Sequence, residues 1–311
     1  VDPRWSLVVV ALVIASLTSC TQRAQLPGKS TPASNVKVFR YSIGGAPTSL
    51  DPVQTRSVYA NFVVLNAFDT LYSYKYLARP YQLKPNLAAG LPKISEDNLT
   101  YTIELKKGVY FMDDPAFIGG IGRELTAADF VYSIKRHFDP AMRPQGAWLW
   151  QGRIAGLEQW KKDGSDYTKD VEGLKTLDRY TVQIRLTRPY PQLLYTLAMG
   201  YSAVVPHEAV DRYGREFAIR PVGSGPFKIL SFNTTKAVFV RNERFRSEPV
   251  DIWDEGYDPI TQTYTGVELI DGRSPPFLDR LEIDFIPEGS ARWSSFPKGA
   301  AIQYAALPDE Q

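Results

Sequence analysis

The chain has 311 residues, of which 44% are hydrophobic, and its 36 basic and 34 acidic residues leave a formal net charge of +2. This near balance gives no indication of a nucleic acid or a strongly acidic partner. The single cysteine, Cys20, excludes an internal disulfide framework. Beyond the N-terminal segment, the chain is long enough for one large or two ordinary domains, and it contains no second long apolar run.

The first segment of the chain has the pattern of an export signal. Arg4 precedes an apolar run at residues 7–17, which is too short to form a permanent membrane-spanning helix. Small residues follow it up to Cys20, and the sequence Leu-Thr-Ser-Cys resembles the bacterial lipobox, which implies lipidation of that cysteine. We therefore expect a lipoprotein signal peptide at residues 1–19 and a polar, flexible tether at residues 20–35. A buried helix, or a plain signal peptide with an incidental cysteine, is the alternative.

The rest of the chain alternates predicted strands and helices. Runs of β-branched and aromatic residues, or alternation of apolar and polar residues, predict strands at residues 36–43, 91–95, 99–105, 171–177, 180–187, 227–232, 237–241 and 281–286. Apolar spacing and start signals predict helices at residues 58–68, from Thr126 onward, and at residues 191–199 and 206–213. This interleaving favours a mixed α/β (α+β) fold.

Some segments carry more detailed predictions. In the segment 58–68, Phe62, Leu65 and Phe68 recur at helical spacing, and this spacing predicts the helix. Thr126 and Asp129 match an acidic variant of the capping box, which fixes the start of the next helix. In contrast, residues 248–274 are polar and turn-rich, and we expect a long surface excursion with no assignable role.

No complete catalytic motif is present in the sequence. Residues 207–211 begin like the zinc-protease helix but have aspartate where the second histidine should stand. The other histidine is His137, which we expect on the surface, whereas His207 is expected to start a helix. The Gly-Ser-Gly sequence at 223–225 lacks the first glycine of a nucleophile elbow. We therefore predict no catalytic residue, no metal and no cofactor.

Several segments together resemble one protein family. In the order of the chain, these segments are PTSLDP at 47–52, AFDTLY at 67–72, LKPNLAAGLPKISEDNLTYTIELKKGVYF at 83–111, RELTAADFVYSIKR at 123–136 and RPVGSGPFKIL at 220–230. They resemble the bacterial extracellular solute-binding proteins, family 5, which serve peptide and nickel ABC importers. A lipobox is consistent with the same family.

This resemblance implies a type II periplasmic-binding-protein fold, in which two lobes close around a ligand and the first lobe carries an extra subdomain. On that pattern, lobe I consists of residues 36–80 and 206–290, the extra subdomain of residues 81–205, and the hinge with the start of the second lobe of residues 291–311. Members of the family are longer, so most of the second lobe is expected to be missing from this sequence.

The resemblance also implies a function. The chain would be the lipid-anchored substrate-binding component of an ABC importer, a monomer in the periplasm or cell envelope that captures oligopeptides and delivers them to the inner-membrane permease. The segment that approaches the ligand in the family corresponds to Arg56, Ser57 and Val58; a solvated loop is the alternative. Two other functions stay open, an exported hydrolase with an unrecognised carboxylate pair and an envelope scaffold without transport activity.

Overall fold

The computed structural model describes residues 36–262 and 266–295, so the predicted signal peptide, Cys20 and the whole predicted tether lie outside the described residues. A four-stranded sheet has the strand order β1-β10-β9-β8. Its members are β1 (Val38–Ile43), β8 (Phe227–Phe232), β9 (Lys236–Arg241) and β10 (Arg280–Phe285). Strand β1 is parallel to β10, and the other neighbours are antiparallel. All four strands were predicted from their apolar patterns, with boundaries that differ by at most two residues.

A second sheet of four antiparallel strands has the order β4-β5-β7-β6. Its members are β4 (Lys93–Ile94), β5 (Thr100–Glu104), β6 (Leu174–Asp178) and β7 (Thr181–Arg185). Both predicted hairpins are confirmed, although the strands are shorter than expected. Alternate residues of β5 and β7, such as Ile103 and Val182, are fully buried, because a half-buried strand turns every second side chain to the core.

Two further strands, β2 (Tyr72–Tyr74) and β3 (Leu83–Pro85), form a small antiparallel pair that the sequence did not predict. The described α-helices are α1 (Val58–Val64), α2 (Ala127–Lys135), α3 (Leu157–Lys162), α4 (Leu193–Thr196), α5 (His207–Tyr213) and α6 (Gly289–Ser295). Helix α2 starts as predicted: the Thr126 backbone N–H donates to the Asp129 carboxylate at 2.8 Å. Within the described ranges, no helix is long and apolar enough to cross a membrane.

Helix α1 lies in the segment predicted as a helix, but the residues whose spacing predicted it do not mark its buried side. Phe62 and Leu65 are 57% and 39% exposed, and the residues that α1 buries are Ala60, Val63 and Val64. Phe68 is buried, but it lies beyond the end of the helix. The sequence of α1 is apolar on nearly every side, and neighbouring elements, which helical spacing does not reveal, decide which side is covered.

The segment 248–274 has a structural role that the sequence did not predict. Ile252 is buried and forms a small hydrophobic cluster with Leu77 and Val267, separate from the main core. The nearly buried Glu255 accepts a hydrogen bond from the Tyr76 backbone N–H at 2.7 Å and pairs with Lys84. The segment therefore covers the β2–β3 pair instead of extending into solvent as a simple loop.

Candidate functional site

The loop that follows β1 is held by a buried ion pair. Asp51, in the Leu-Asp-Pro sequence, accepts two hydrogen bonds from the Arg136 guanidinium, at 2.9 and 2.6 Å, and these residues are 3% and 2% exposed. The same carboxylate accepts a hydrogen bond from the Val53 backbone N–H at 3.2 Å. Because Arg136 directly follows α2, this pair fixes the loop against the body of the protein.

The electrostatics of this pair favour its charged form. Burial disfavours the charge on Arg136, but the adjacent Asp51 carboxylate more than offsets this effect, so the pKa of Arg136 is raised above its ordinary value. Removal of either partner would leave an uncompensated charge in the interior. The loop therefore has one strongly preferred position relative to α2.

The three residues predicted to approach a ligand follow this loop directly. Arg56 is exposed, and Ser57 caps α1 by accepting a hydrogen bond from the Ala60 backbone N–H at 3.1 Å. Val58, the first residue of α1, is 68% exposed. The three residues thus form one continuous, accessible stretch, and their contact with a ligand stays a prediction.

Helix α1 and the residue that follows it present an apolar surface beside this stretch. Val58, Tyr59, Phe62 and Leu65 are all exposed, and we call these four residues the α1 face. The Tyr59 side chain packs closely on the two glycines at residues 44–45: a methyl group would lie 2.7 Å from its hydroxyl oxygen at the first and 3.0 Å from its ring at the second. Those glycines follow β1, so the α1 face lies at the carboxyl end of a parallel strand, where α/β sheets commonly bind ligands.

A second loop adds residues that sequence reasoning did not select as site residues. Trp148 is 59% exposed and its ring packs edge-on against Tyr201, at 6.4 Å between ring centroids. Arg143 and Gln145 precede it, and the Gln145 backbone N–H donates to the Val53 carbonyl oxygen at 2.8 Å. The sequence showed a tryptophan-bearing loop here, but nothing local distinguishes exposed Trp148 from Trp150, which is fully buried.

The histidines do not form a catalytic or metal site in the described part of the chain. The prediction that His137 lies on the surface is wrong, because it is fully buried and its Nε2 lies 2.6 Å from the Tyr201 carbonyl oxygen. Burial lowers the pKa of His137 to about 4, so the ring is neutral at physiological pH. His207 starts α5 as predicted, and the adjacent Glu208 pairs with Arg123. No group of three potential metal-ligating side chains occurs among the described residues.

Three of the segments that carried the family resemblance meet at a second, largely buried ion pair. Arg246 donates to the Asp69 carboxylate at 2.7 Å and to the Asn86 side-chain oxygen at 2.5 Å. The Ser224 hydroxyl donates to the same Asp69 carboxylate at 2.9 Å. Asp69, Asn86 and Ser224 belong to three different segments of the resemblance, so these segments meet in the folded protein.

Comparisons with known proteins find the family that the sequence resembles. The sequence profile of the bacterial extracellular solute-binding proteins, family 5 (middle region), matches residues 82–311. The glutathione-binding protein GsiB of Escherichia coli is 26% identical over 253 residues, a match that covers 81% of this chain and 40% of GsiB. GsiB of Salmonella choleraesuis is 27% identical over 247 residues, which cover 77% of this chain and 41% of that protein.

Two solved structures are similar in fold. The periplasmic binding protein DppA from Helicobacter pylori, in complex with the peptide STSA, has a TM-score of 0.62 and 25% identity, covering 84% of this chain and 45% of DppA. Listeria monocytogenes OppA bound to peptide has a TM-score of 0.65 and 20% identity, covering 85% and 45% of the two chains. These neighbours have the type II periplasmic-binding-protein fold, which confirms the predicted fold class.

The chain spans about 40% of the length of the curated relatives it matches. The family match, in contrast, extends over most of this chain and is independent of any single motif. The chain therefore belongs to the bacterial extracellular solute-binding proteins, family 5.

Proposed function

We propose that this chain forms one wall of the ligand cleft in a substrate-binding protein that captures peptides outside the inner membrane and delivers them to an ABC permease. The observation that carries the proposal is the α1 face: four large apolar side chains are exposed on one short helix and the residue that follows it, at the carboxyl end of β1. Family membership, and the peptide and glutathione ligands named for similar proteins, support the same substrate class.

In this proposal, Arg56, Ser57 and Val58 contact the peptide. Val58 offers apolar surface, and Arg56 offers a charge that no acid of the described chain neutralises. The Ser57 oxygen already accepts a hydrogen bond from Ala60, so its hydroxyl hydrogen is available to a ligand carbonyl. An exposed stretch of this kind suits a peptide, whose main chain supplies hydrogen bonds and whose side chains supply apolar contacts.

The proposal is tested by peptide binding to the full-length gene product, measured by calorimetry with a set of tripeptides. Phe62→Ser should weaken the affinity about tenfold, because it removes apolar area from the wall. Leu230→Ser in β8 is a matched control, since Leu230 is 56% exposed but lies outside the α1 face. Equal effects of the two substitutions on binding, or no binding of any tripeptide by the wild type, would contradict the proposal.

We further propose that residues 1–19 direct export and that Cys20 carries the lipid that holds the protein at the membrane, with residues 20–35 as the tether. The protein would then act as a monomer in the periplasm or cell envelope, as a binding protein without catalytic turnover. A fatty acid supplied to growing cells should label the wild type and not Cys20→Ala. Persistent labelling of that variant would overturn the lipid anchor without affecting the proposal for the α1 face.

A further inference from the structure

A small pocket lies between the Leu-Asp-Pro loop and the loop that precedes Trp148. It has a volume of about 290 Å³ and is lined by Thr48, Ser49, Gln54, Arg56, Arg143 and Gln145. The lining includes two guanidinium groups and four neutral polar side chains, with no acidic residue. Such a lining is suited to an anion, because it carries two positive charges and no negative one.

Both guanidinium groups of the pocket are available. Arg56 and Arg143 are exposed, and neither has an ion pair or a side-chain hydrogen bond with the residues that the structure describes. The neighbouring Arg136 shows the opposite condition, since it is buried and forms an ion pair with Asp51. Two like charges on one pocket repel each other, and an anion bound between them would relieve that repulsion.

Contacts between the two loops hold the pocket in shape. The Gln54 side-chain amide donates to the Met142 carbonyl oxygen at 3.0 Å, and the Gln145 backbone N–H donates to the Val53 carbonyl oxygen at 2.8 Å. Arg143 adopts a left-handed backbone conformation, with φ of 52°, which is uncommon for a residue with a side chain. The Gln145 side chain also donates to the Arg143 carbonyl oxygen at 3.1 Å, which braces this turn.

We propose that this pocket binds a carboxylate of the peptide ligand, with Arg56 and Arg143 as its two charged donors. The inference rests on the proposed peptide-binding function and adds the chemical class of the group that the ligand must carry. The carboxylate belongs either to the C-terminus of the peptide or to an acidic side chain. Both sources present the same planar group, which two guanidinium groups bind through charge-assisted hydrogen bonds.

The test uses the full-length gene product and four synthetic peptides, with affinities measured by calorimetry. Ala-Ala-Ala is compared with its C-terminal amide, and Ala-Glu-Ala amide with Ala-Gln-Ala amide. The wild type should bind at least one carboxylate peptide about 10- to 100-fold more tightly than its neutral partner, as expected for a hydrogen bond to a charged group. The first pair reports a C-terminal carboxylate, and the second reports an acidic side chain.

Arg56→Gln and Arg143→Gln should each reduce this preference to a few fold, and thermal unfolding should confirm that the variants fold. Arg188→Gln is the matched control, because Arg188 is also exposed and unpaired among the described residues but lies beyond β7. Equal binding of acid and neutral peptides by the wild type, or a preference that survives in both pocket variants, would overturn the carboxylate site and leave peptide binding intact. No binding by any of the four peptides would overturn the proposed function and, with it, this inference.

Discussion

Arg136→Met should destabilise the protein severely. The substitution keeps a long apolar side chain but removes both hydrogen bonds to Asp51, at 2.9 and 2.6 Å. The Asp51 carboxylate would stay buried. It would keep the hydrogen bond of 3.2 Å from the Val53 backbone N–H but lose its positively charged partner. Breaking a buried ion pair in this way typically costs about 3–5 kcal/mol, a large fraction of the free energy of unfolding of an ordinary domain.

Urea unfolding followed by tryptophan fluorescence would measure this loss. The double variant Asp51→Asn/Arg136→Met should be less destabilised than the sum of the two single variants by about 2 kcal/mol, because no uncompensated charge is left in it. Arg185→Met is the matched control: it breaks an ion pair with Glu172 in which both side chains are more than half exposed, so its cost should stay below about 1 kcal/mol. The prediction is refuted if Arg136→Met lowers the free energy of unfolding no more than Arg185→Met does. It is also refuted if the effects of Asp51→Asn and Arg136→Met simply add in the double variant.

Two further predictions concern the interior. The pKa of His137 is about 4 in the folded protein and 6.5 ordinarily, so the histidine of the unfolded chain takes up a proton first as the pH decreases. The free energy of unfolding should therefore have its full value above pH 6.5 and fall by up to about 3 kcal/mol as the pH decreases to 4. Urea midpoints across this range should show the slope, and His137→Gln should flatten it; an equal slope in that variant would contradict the assignment. Gly223→Ala places a methyl group 2.2 Å from the Ala67 carbonyl oxygen and should cost about 1–3 kcal/mol, whereas Gly90→Ala, with no atom within 4 Å, should not destabilise the protein in the same urea titrations. Equal unfolding midpoints for these two variants would contradict the prediction, because the backbone around Gly223 would then accommodate the methyl group without a loss of stability.

The sequence predicted the elements whose signals are local. In β5, apolar and polar residues alternate, and the buried residues Tyr101 and Ile103 are those that the pattern assigned to the core. The start of α2 followed from Thr126 and Asp129, which lie three residues apart and interact directly. Such signals involve only neighbouring residues, so they are readable without knowledge of the rest of the fold.

Features that depend on distant parts of the chain were not predictable in this way. The exposure of Phe62 and the burial of His137 depend on which elements pack around them, and neither residue carries a local mark of its environment. The strands β2 and β3 have three residues each, too few to show an alternating pattern. Arg143 lines the pocket with Arg56 although it lies 87 positions further along the chain, so nothing local in the sequence placed the two residues together.

The division of the chain into a first lobe, an extra subdomain and the beginning of a second lobe stays a prediction. The segments that led to the family, however, have a physical explanation in the structure. Asp51 and Arg136 come from two of these segments and form one buried ion pair. Asp69 comes from a third segment and forms a second ion pair, with Arg246. The recognisable residues thus include those that hold distant segments together.

This separation between the residues that hold the frame and those that are exposed has a functional consequence. Asp51 and Arg136 are buried and rigidly paired, whereas Arg56, Val58 and Phe62 are exposed and contribute little to the core. A surface that is already in its binding position loses less conformational entropy when a ligand arrives. Substitutions in the frame should therefore reduce stability and affinity together, whereas substitutions on the exposed surface should reduce affinity at nearly constant stability. The ratio of the two effects would distinguish a preorganised binding wall from a solvated loop that becomes ordered only on contact with its ligand.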